Sequence, residues 1–392
     1  MEKENGSRVN LNEVRTTWIA ADQIISPLGL TAEENYQAMR EGKSGITLVE
    51  NSAFSKDPVY LGKIYDSPPV QGVNNRTAFT RFERLVILSI QDVLLRIKLD
   101  TASAKVIFIL STTKGNIDLM EEGKRERRHV HLPETARTIS QFFGNPNTPL
   151  VISNACVSGV TAMLLGKQLV ESGQYDHAVV TGADVLSRFI VSGFQCLSAL
   201  SPEPCRPFDK KRKGTTLGEA AGTVVLTSDP GKIGAEPKIR ILGGGLSNDA
   251  NHISGPSRTG EELGMAIQRA IKDSGIRREE IDFVSAHGTA TLFNDEMEAK
   301  AFNLSGLRDT PLNSLKGYFG HTLGAAGVVE SVMSIHALLH NELMPTLGYE
   351  ETGVSVPVNI NKRLESRQLT TCLKTASGFG GCNAAMILKK AG

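Results

Sequence analysis

Paired cysteines are missing from this chain. Its five cysteines are Cys156, Cys196, Cys205, Cys372 and Cys382, and none stands in a C-x-x-C or other zinc-like spacing, which argues against both a disulfide framework and a structural zinc site. A surplus of charge is missing too. Lys and Arg number 43 against 42 Asp and Glu, so no global field draws the protein to nucleic acid or to an anionic membrane, and an anionic partner must be met by a local patch. Residues 1–14 are polar and mixed in charge, without the apolar stretch of a signal peptide, and no later run approaches the roughly 20 apolar residues of a bilayer span. Gly243-Gly-Gly245 lacks the spacing of a nucleotide-binding loop. These absences point to a cytoplasmic protein with free thiols, no metal and no nucleotide cofactor.

What is present is the composition of a compact protein: 40% hydrophobic residues, 22% charged and 38 glycines in 392 positions. Short apolar runs rich in Val and Ile alternate with longer amphipathic segments, the pattern of an α/β fold. It predicts strands over residues 106–110, 150–153, 178–181, 223–227, 239–243, 282–285 and 385–388, and helices over 31–40, 81–97, 159–172, 260–274, 295–304 and 325–340. Breaker residues between 228 and 238 suggest two parts, residues 1–230 and 231–392. A faint echo links them: the segment beginning at Phe108 and the one beginning at Phe283 each run from a strand into a small-residue turn.

The first chemical candidate is Cys156, in Val151-Ile-Ser-Asn-Ala-Cys-Val-Ser-Gly-Val160. An apolar strand enters a turn of small residues and a helix follows, so the thiol stands at an elbow. A helix N-terminus there would favour the nucleophilic thiolate and leave a backbone N–H free for an oxyanion. By its surroundings alone it could equally be a small core residue. Two histidines in the second part sharpen the reading. His287, in Val284-Ser-Ala-His-Gly-Thr-Ala-Thr291, and His321, between Gly320 and Thr322, each read as ending a strand, framed by Gly and Thr that would let a bulky substrate approach. A structural, hydrogen-bonded role fits either one taken singly. His129, His131, His177, His336 and His340 lack that framing and read as surface or helix residues.

Four blocks in this order, Ala155-Cys-Val-Ser-Gly159, His287-Gly-Thr-Ala-Thr291, Lys316 followed by Gly320-His-Thr-Leu-Gly-Ala-Ala-Gly327, and Gly378-Phe-Gly-Gly381, resemble the β-ketoacyl-acyl-carrier-protein synthases. Cys205-Arg-Pro-Phe-Asp-Lys210 and Gly218-Glu-Ala-Ala-Gly222 are similar to that family's segment between nucleophile and first histidine, and the likeness runs from about Thr17 to the C-terminus. The resemblance implies a thiolase-like fold, two related halves in a five-layered α/β/α/β/α arrangement, working as a homodimer or as a heterodimer with a synthase-like subunit. It implies that Cys156 carries the acyl chain as a thioester and that the N–H groups of Cys156 and Phe379 hold the oxyanion. His287 and His321 would stabilise the enolate left by decarboxylation of a malonyl unit, with Lys316 orienting the site and Glu330 supporting it. Thr289, Thr291 and Ser254 would bind the phosphopantetheine arm, which arrives on an acyl carrier protein and is not a resident cofactor.

Local basic clusters at Lys210-Lys-Arg-Lys213 and Lys124-Arg-Glu-Arg-Arg128 are candidate docking sites for an acidic carrier. Departures from the family pattern are equally specific. Ser111-Thr-Thr-Lys-Gly115 stands where an apolar gate beside the acyl pocket is usual, which makes Thr113 the gate and suggests an atypical acyl chain. Ser377 replaces a common aromatic, Cys382 a threonine, and the stretch from 115 to 149 is short. Cys382 could imitate the second cysteine of a thiolase, and a non-catalytic partner subunit is a further alternative, although such subunits typically lack the nucleophile that is present here.

Overall fold

The computed structural model describes residues 15–50, 52–73, 78–122, 127–235, 238–251 and 253–391. Eleven strands join in one sheet: β1 (Trp18–Ile25), β2 (Val106–Ser111), β3 (Leu150–Ile152), β4 (His177–Asp184), β5 (Ala220–Thr227), β6 (Ile239–Asn248), β7 (Phe283–Ser285), β8 (Pro311–Asn313), β9 (Asn359–Ile360), β10 (Thr371–Gly378) and β11 (Cys382–Lys390). Their spatial order is β9-β8-β7-β10-β11-β6-β1-β5-β4-β2-β3. Counted outward from the β6–β1 seam, each side has two antiparallel steps followed by parallel ones, two on the β1 side and three on the β6 side. The echo between Phe108 and Phe283 therefore has a structural basis, since β2 and β7 are each the fourth strand from the seam. The seam itself is short, pairing only Trp18 with Arg240 and Ile19 with Ile239.

Helices α1 (Ala32–Arg40), α2 (Arg81–Arg96), α3 (Leu132–Phe142), α4 (Ser158–Glu171), α5 (Arg188–Cys196), α6 (Glu261–Ser274), α7 (Leu292–Leu304), α8 (Lys316–Phe319) and α9 (Ala326–His340) surround and divide the sheet. Helices α1 and α2 start at capping boxes, Thr31 with Glu34 and Thr80 with Glu83, which satisfy N–H groups the helix cannot pair internally. Apolar residues of α2 at helical spacing, Phe82, Leu85, Val86, Ile90 and Val93, face the outer side of the first half-sheet. Helices α6 and α7 cover the second half-sheet on its far side. Between the half-sheets lie α4 and α9, whose apolar residues join both into one core. The result is the five-layered, thiolase-like fold expected.

Helix α9 is buried nearly all round. With the turn before it, it forms an 18-residue run, Leu323–His340, long and apolar enough to cross a membrane, which the expectation of no such run overlooked; 83% of it is buried inside the fold, so it serves as the central-layer helix. The strands β1 and β10 were not foreseen, because polar residues such as Gln23 and Lys374 interrupt their apolar pattern. His177 corrects another expectation. It lies buried on β4, with Nδ1 2.9 Å from the Thr227 hydroxyl, and is neither a surface nor a helix residue.

Candidate active site

The chain leaves β3 at Ile152 and enters α4 at Ser158, and the intervening elbow presents Cys156. Ala155 takes a left-handed φ of 45°, unusual for a residue with a Cβ, so the turn is strained where the thiol is presented. Ser158 clamps it: its hydroxyl accepts from the Asn154 N–H at 2.8 Å and donates to the Ala155 carbonyl at 2.6 Å. Gly159 serves packing. A Cβ there would lie 2.7 Å from the Val328 nitrogen, and one on Gly327 2.3 Å from the Val160 nitrogen. These two glycines let α4 and α9 meet backbone to backbone, which brings the thiol that precedes one helix to the histidine that precedes the other.

His321 Nε2 lies 3.0 Å from Cys156 Sγ. The expectation that His321 ends a strand is wrong. It follows the short helix α8 and is held by backbone bonds beside residues 216–218, its N–H donating to the Thr216 carbonyl at 2.6 Å and its carbonyl accepting from the Gly218 N–H at 3.0 Å. The Leu323 N–H donates to His321 Nδ1 at 3.3 Å, so the ring proton of the neutral imidazole resides on Nε2. His287 does follow a strand, β7, and its ring centre lies 5.1 Å from that of His321 at an interplanar angle of 81°. Its Nδ1 is 3.2 Å from Lys316 Nζ, a group that can only donate, so its proton also resides on Nε2. A nitrogen of each ring and the Cys156 sulfur all fall within 4.8 Å of one another.

Behind the histidines stands a buried ion network. Lys316, at the start of α8, donates to the His287 carbonyl at 2.5 Å and to Glu330 at 2.6 Å. Lys374 on β10 approaches the other Glu330 oxygen, also at 2.6 Å. Burial pushes the Glu330 carboxyl up, but the two lysines outweigh it and hold the group below its ordinary range. Burial first, and the nearby lysines second, push both catalytic-site imidazoles well below the ordinary histidine range, so both are neutral near pH ~7. Burial likewise pushes the Cys156 thiol up to about 12, with Lys316 opposing. Burial thus opposes the thiolate that a helix start was expected to favour.

Lys374 and Glu298 were missed by sequence reasoning. Glu298 on α7 accepts from the N–H groups of His287 at 2.8 Å and Gly288 at 2.6 Å, fixing the loop that carries the imidazole. No local motif marks either residue; each becomes visible only when strands and helices distant in sequence meet.

The reactive groups open into a cavity of about 460 Å³ whose walls include Ser254, Thr289, Thr291, Phe194 and Phe379 along with Cys156 and both histidines. The hydroxyls of Thr289 and Thr291 lie 2.8 Å apart. Phe379 follows Gly378, where an added Cβ would sit 3.0 Å from the Cys156 nitrogen, so the backbone of this loop runs beside the elbow. Thr113 does not belong to these walls. Its N–H and hydroxyl both donate to Asp184, each at 2.9 Å, and the same carboxylate accepts from the Gly324 N–H at 2.7 Å. The threonine thus ties two loops together through Asp184.

The basic cluster at 210–213 has acidic neighbours in the fold. Lys210 pairs with Glu351 at 2.8 Å, Lys211 with Glu350 at 3.2 Å and Lys213 with Glu203 at 3.2 Å, while Arg212 is buried against Asp295. Its charge is matched within the fold. Of the second cluster, residues 124–126 lie outside the described residues.

Fold and site together define a thiolase-like condensing enzyme, in which a buried cysteine faces two buried imidazoles. Residues 17–230 match the family described as beta-ketoacyl synthase, N-terminal domain, and residues 239–350 the corresponding C-terminal domain. The chain belongs to the β-ketoacyl synthase family. It is similar to 3-oxoacyl-acyl-carrier-protein synthase 2 of Vibrio cholerae, 29% identical over 94% of this chain and 97% of that one. It is also 33% identical to the synthase 2 of Rhizobium meliloti, over 67% of this chain and 65% of the relative. Among solved structures, a ketosynthase in complex with its chain length factor from Xenorhabdus doucetiae superposes with a TM-score of 0.85 at 28% identity, over 96% of this chain and 98% of that one. The ishigamide ketosynthase/chain length factor superposes with a TM-score of 0.88 at 26% identity, over 97% and 100%.

Proposed function

We propose that this acyltransferase extends an acyl chain carried by Cys156 with a two-carbon unit from malonyl-acyl-carrier-protein. The observation that carries the reading is the pair of imidazoles with occupied Nδ1 atoms, His321 donating its Nε2–H toward Cys156 Sγ from 3.0 Å. In the first half-reaction the Cys156 sulfur attacks the thioester of an acyl carrier protein, and the thiol proton leaves with the departing pantetheine thiol. The Cys156 and Phe379 N–H groups would hold the oxyanion, at about 3 kcal/mol per donor in comparable sites.

In the second half-reaction the malonyl carbon–carboxylate bond breaks and carbon dioxide departs. The electron pair moves onto the thioester oxygen, where His287 and His321 donate to the enolate. Its carbon then attacks the Cys156 thioester, the C–S bond breaks, and the β-ketoacyl chain stays on the carrier. Neutral imidazoles suit this step, because each is a donor without the cost of a buried full charge. Lys316 and Glu330 position His287, and Ser254, Thr289 and Thr291 would hold the pantetheine arm, so no resident cofactor is required.

We further infer that the acyl chain belongs to a specialised pathway and that the working assembly is a heterodimer. Polar anchoring of residues 112–114 on Asp184, in place of an apolar flap, supports the first point. The second is supported by the likeness to two ketosynthases solved with a chain length factor. The test is incubation with malonyl-carrier-protein and a panel of acyl-carrier-proteins, with and without a candidate partner subunit, following Cys156 acylation by intact mass and carbon dioxide release in parallel. Acylation lost in Cys156→Ala, with a β-ketoacyl product, supports the reading; no acylation under any pairing overturns it. Equal or better turnover of saturated C12 to C16 donors overturns the specialised substrate alone.

A further inference from the structure

Far from Cys156, at the C-terminal end of α9, His336 and His340 stand one helical turn apart and face Glu33 on α1. One donor atom from each lies within 4.8 Å of the other two. Glu33 Oε2 is 4.0 Å from His336 Nδ1 and 4.0 Å from His340 Nε2.

The surroundings of His336 are those of a metal ligand. Asp22 on β1 lies 3.0 Å from its Nε2 and accepts that ring proton, which leaves the lone pair on Nδ1. That Nδ1 is withdrawn from solvent and has no hydrogen-bond partner among the described residues. A buried acceptor without a donor is costly, and a carboxylate on the far nitrogen is the arrangement that orients and strengthens an imidazole toward a metal. Tyr36 holds the rings in place: it stacks on His340 at 4.7 Å and 21° and leans on His336 at 5.6 Å, while its hydroxyl is anchored by Glu342 at 3.0 Å.

We propose that His336 Nδ1, His340 Nε2 and the Glu33 carboxylate bind a late first-row divalent cation, of which Zn²⁺ is the representative probe. Two imidazoles and one carboxylate suit Zn²⁺, Ni²⁺ or Cu²⁺ rather than Mg²⁺ or Ca²⁺, whose sites are built from oxygen. Tetrahedral bonds of about 2.05 Å require donors about 3.4 Å apart. Glu33, with its side chain 68% exposed, can close the remaining distance by rotating. Water would complete the fourth position. The ion would clip α1 to α9, and so add stability through a contact that only the folded chain offers.

The Cys156, His287 and His321 donors could also take up zinc, so the experiment uses the full-length Cys156→Ala protein, stripped with EDTA and desalted. Calorimetric titration with ZnCl₂ is compared with the same protein carrying His340→Ala, Glu33→Gln or Asp22→Asn. One ion per chain is expected, weakened about 100-fold by His340→Ala and about 10- to 100-fold by Asp22→Asn, the range typical of lost ligand-orienting partners. ZnCl₂ should raise the melting temperature of the parent and leave that of His340→Ala unchanged. His340 is exposed on the helix end, so this variant should fold, which its circular dichroism and acyl transfer with intact Cys156 would verify. No zinc binding by the parent, or equal affinity in His340→Ala, overturns the proposal.

Discussion

Lys374 Nζ lies 2.6 Å from the Glu330 carboxylate, in the central layers of the fold where neither side chain meets solvent. The same carboxylate is 2.6 Å from Lys316, so one buried negative charge serves two buried cations, one of which touches the catalytic-site histidine. Such a network is held by mutual compensation, and losing one member exposes the cost of burying the rest.

Replacing Lys374 by Met should therefore destabilise the protein by about 3 kcal/mol, a typical cost of breaking a buried pair. Urea unfolding would measure it. The Glu330 carboxyl, now held down by Lys316 alone, should rise in pKa, and carbon dioxide release should fall more than Cys156 acylation, because the disturbance reaches His287 through Lys316. Equal loss in both half-reactions would mean a general structural effect.

Cys156 should react slowly with iodoacetamide near pH ~7, and its rate should climb through the alkaline range without a plateau below about pH 9, since burial holds the thiol up to about 12. Mass spectrometry can follow Cys156 against the exposed Cys196 in one digest. For stability the sign follows from a raised folded value: this group's contribution is complete below the ordinary cysteine pKa and is lost as pH climbs through the folded one. A reactivity plateau on the acid side of neutrality would show that the thiolate prevails at rest.

His287→Ala and His321→Ala should each lower decarboxylation of malonyl-carrier-protein by about 10²- to 10³-fold, the range for removing one donor from a developing oxyanion. Acylation of Cys156 should change less than about 10-fold, because that step uses the backbone donors. Both imidazoles are held well below the ordinary range, so decarboxylation should not fall as pH drops from about 7.5 to 6.5. Their contribution to stability is complete above the ordinary histidine pKa and diminishes as pH falls below it, because the unfolded chain then takes up protons the native site refuses. Loss of decarboxylation with an apparent pKa near 6.5 would contradict the neutral-donor assignment.

Gly159→Ala should cost about 3 kcal/mol or more, the upper end of the usual overpacking range, because the new methyl meets backbone atoms of α9 that have no rotamer to change. A thermal melt checks this. A cost below ~1 kcal/mol would show that α4 and α9 can separate without loss.

The residues by themselves determined the alternation of strands and helices, the order of the four chemical blocks and the identity of Cys156, His287 and His321. Each of these is a local matter of periodicity, turn chemistry or short motif. Lys316 and Glu330 were legible through family resemblance, whereas their roles as neighbours of His287 and Lys374 are distances between elements. What only the tertiary structure decided has one physical origin: charge and burial are set by partners far away in the chain. Lys374 interrupts the apolar pattern of β10 and hid that strand, yet in the fold it is half of the compensation for Glu330. Thr113 stands where a gate was expected, but Asp184, 71 positions further on, claims its hydroxyl and its N–H. The lysines at 210, 211 and 213 form a basic run in the sequence and are matched one by one with glutamates in space. The thiol of Cys156 sits at a helix start, as the motif implied, but it is also buried where α4 and α9 cross, which works against its ionisation, and that burial is a property of the packed core.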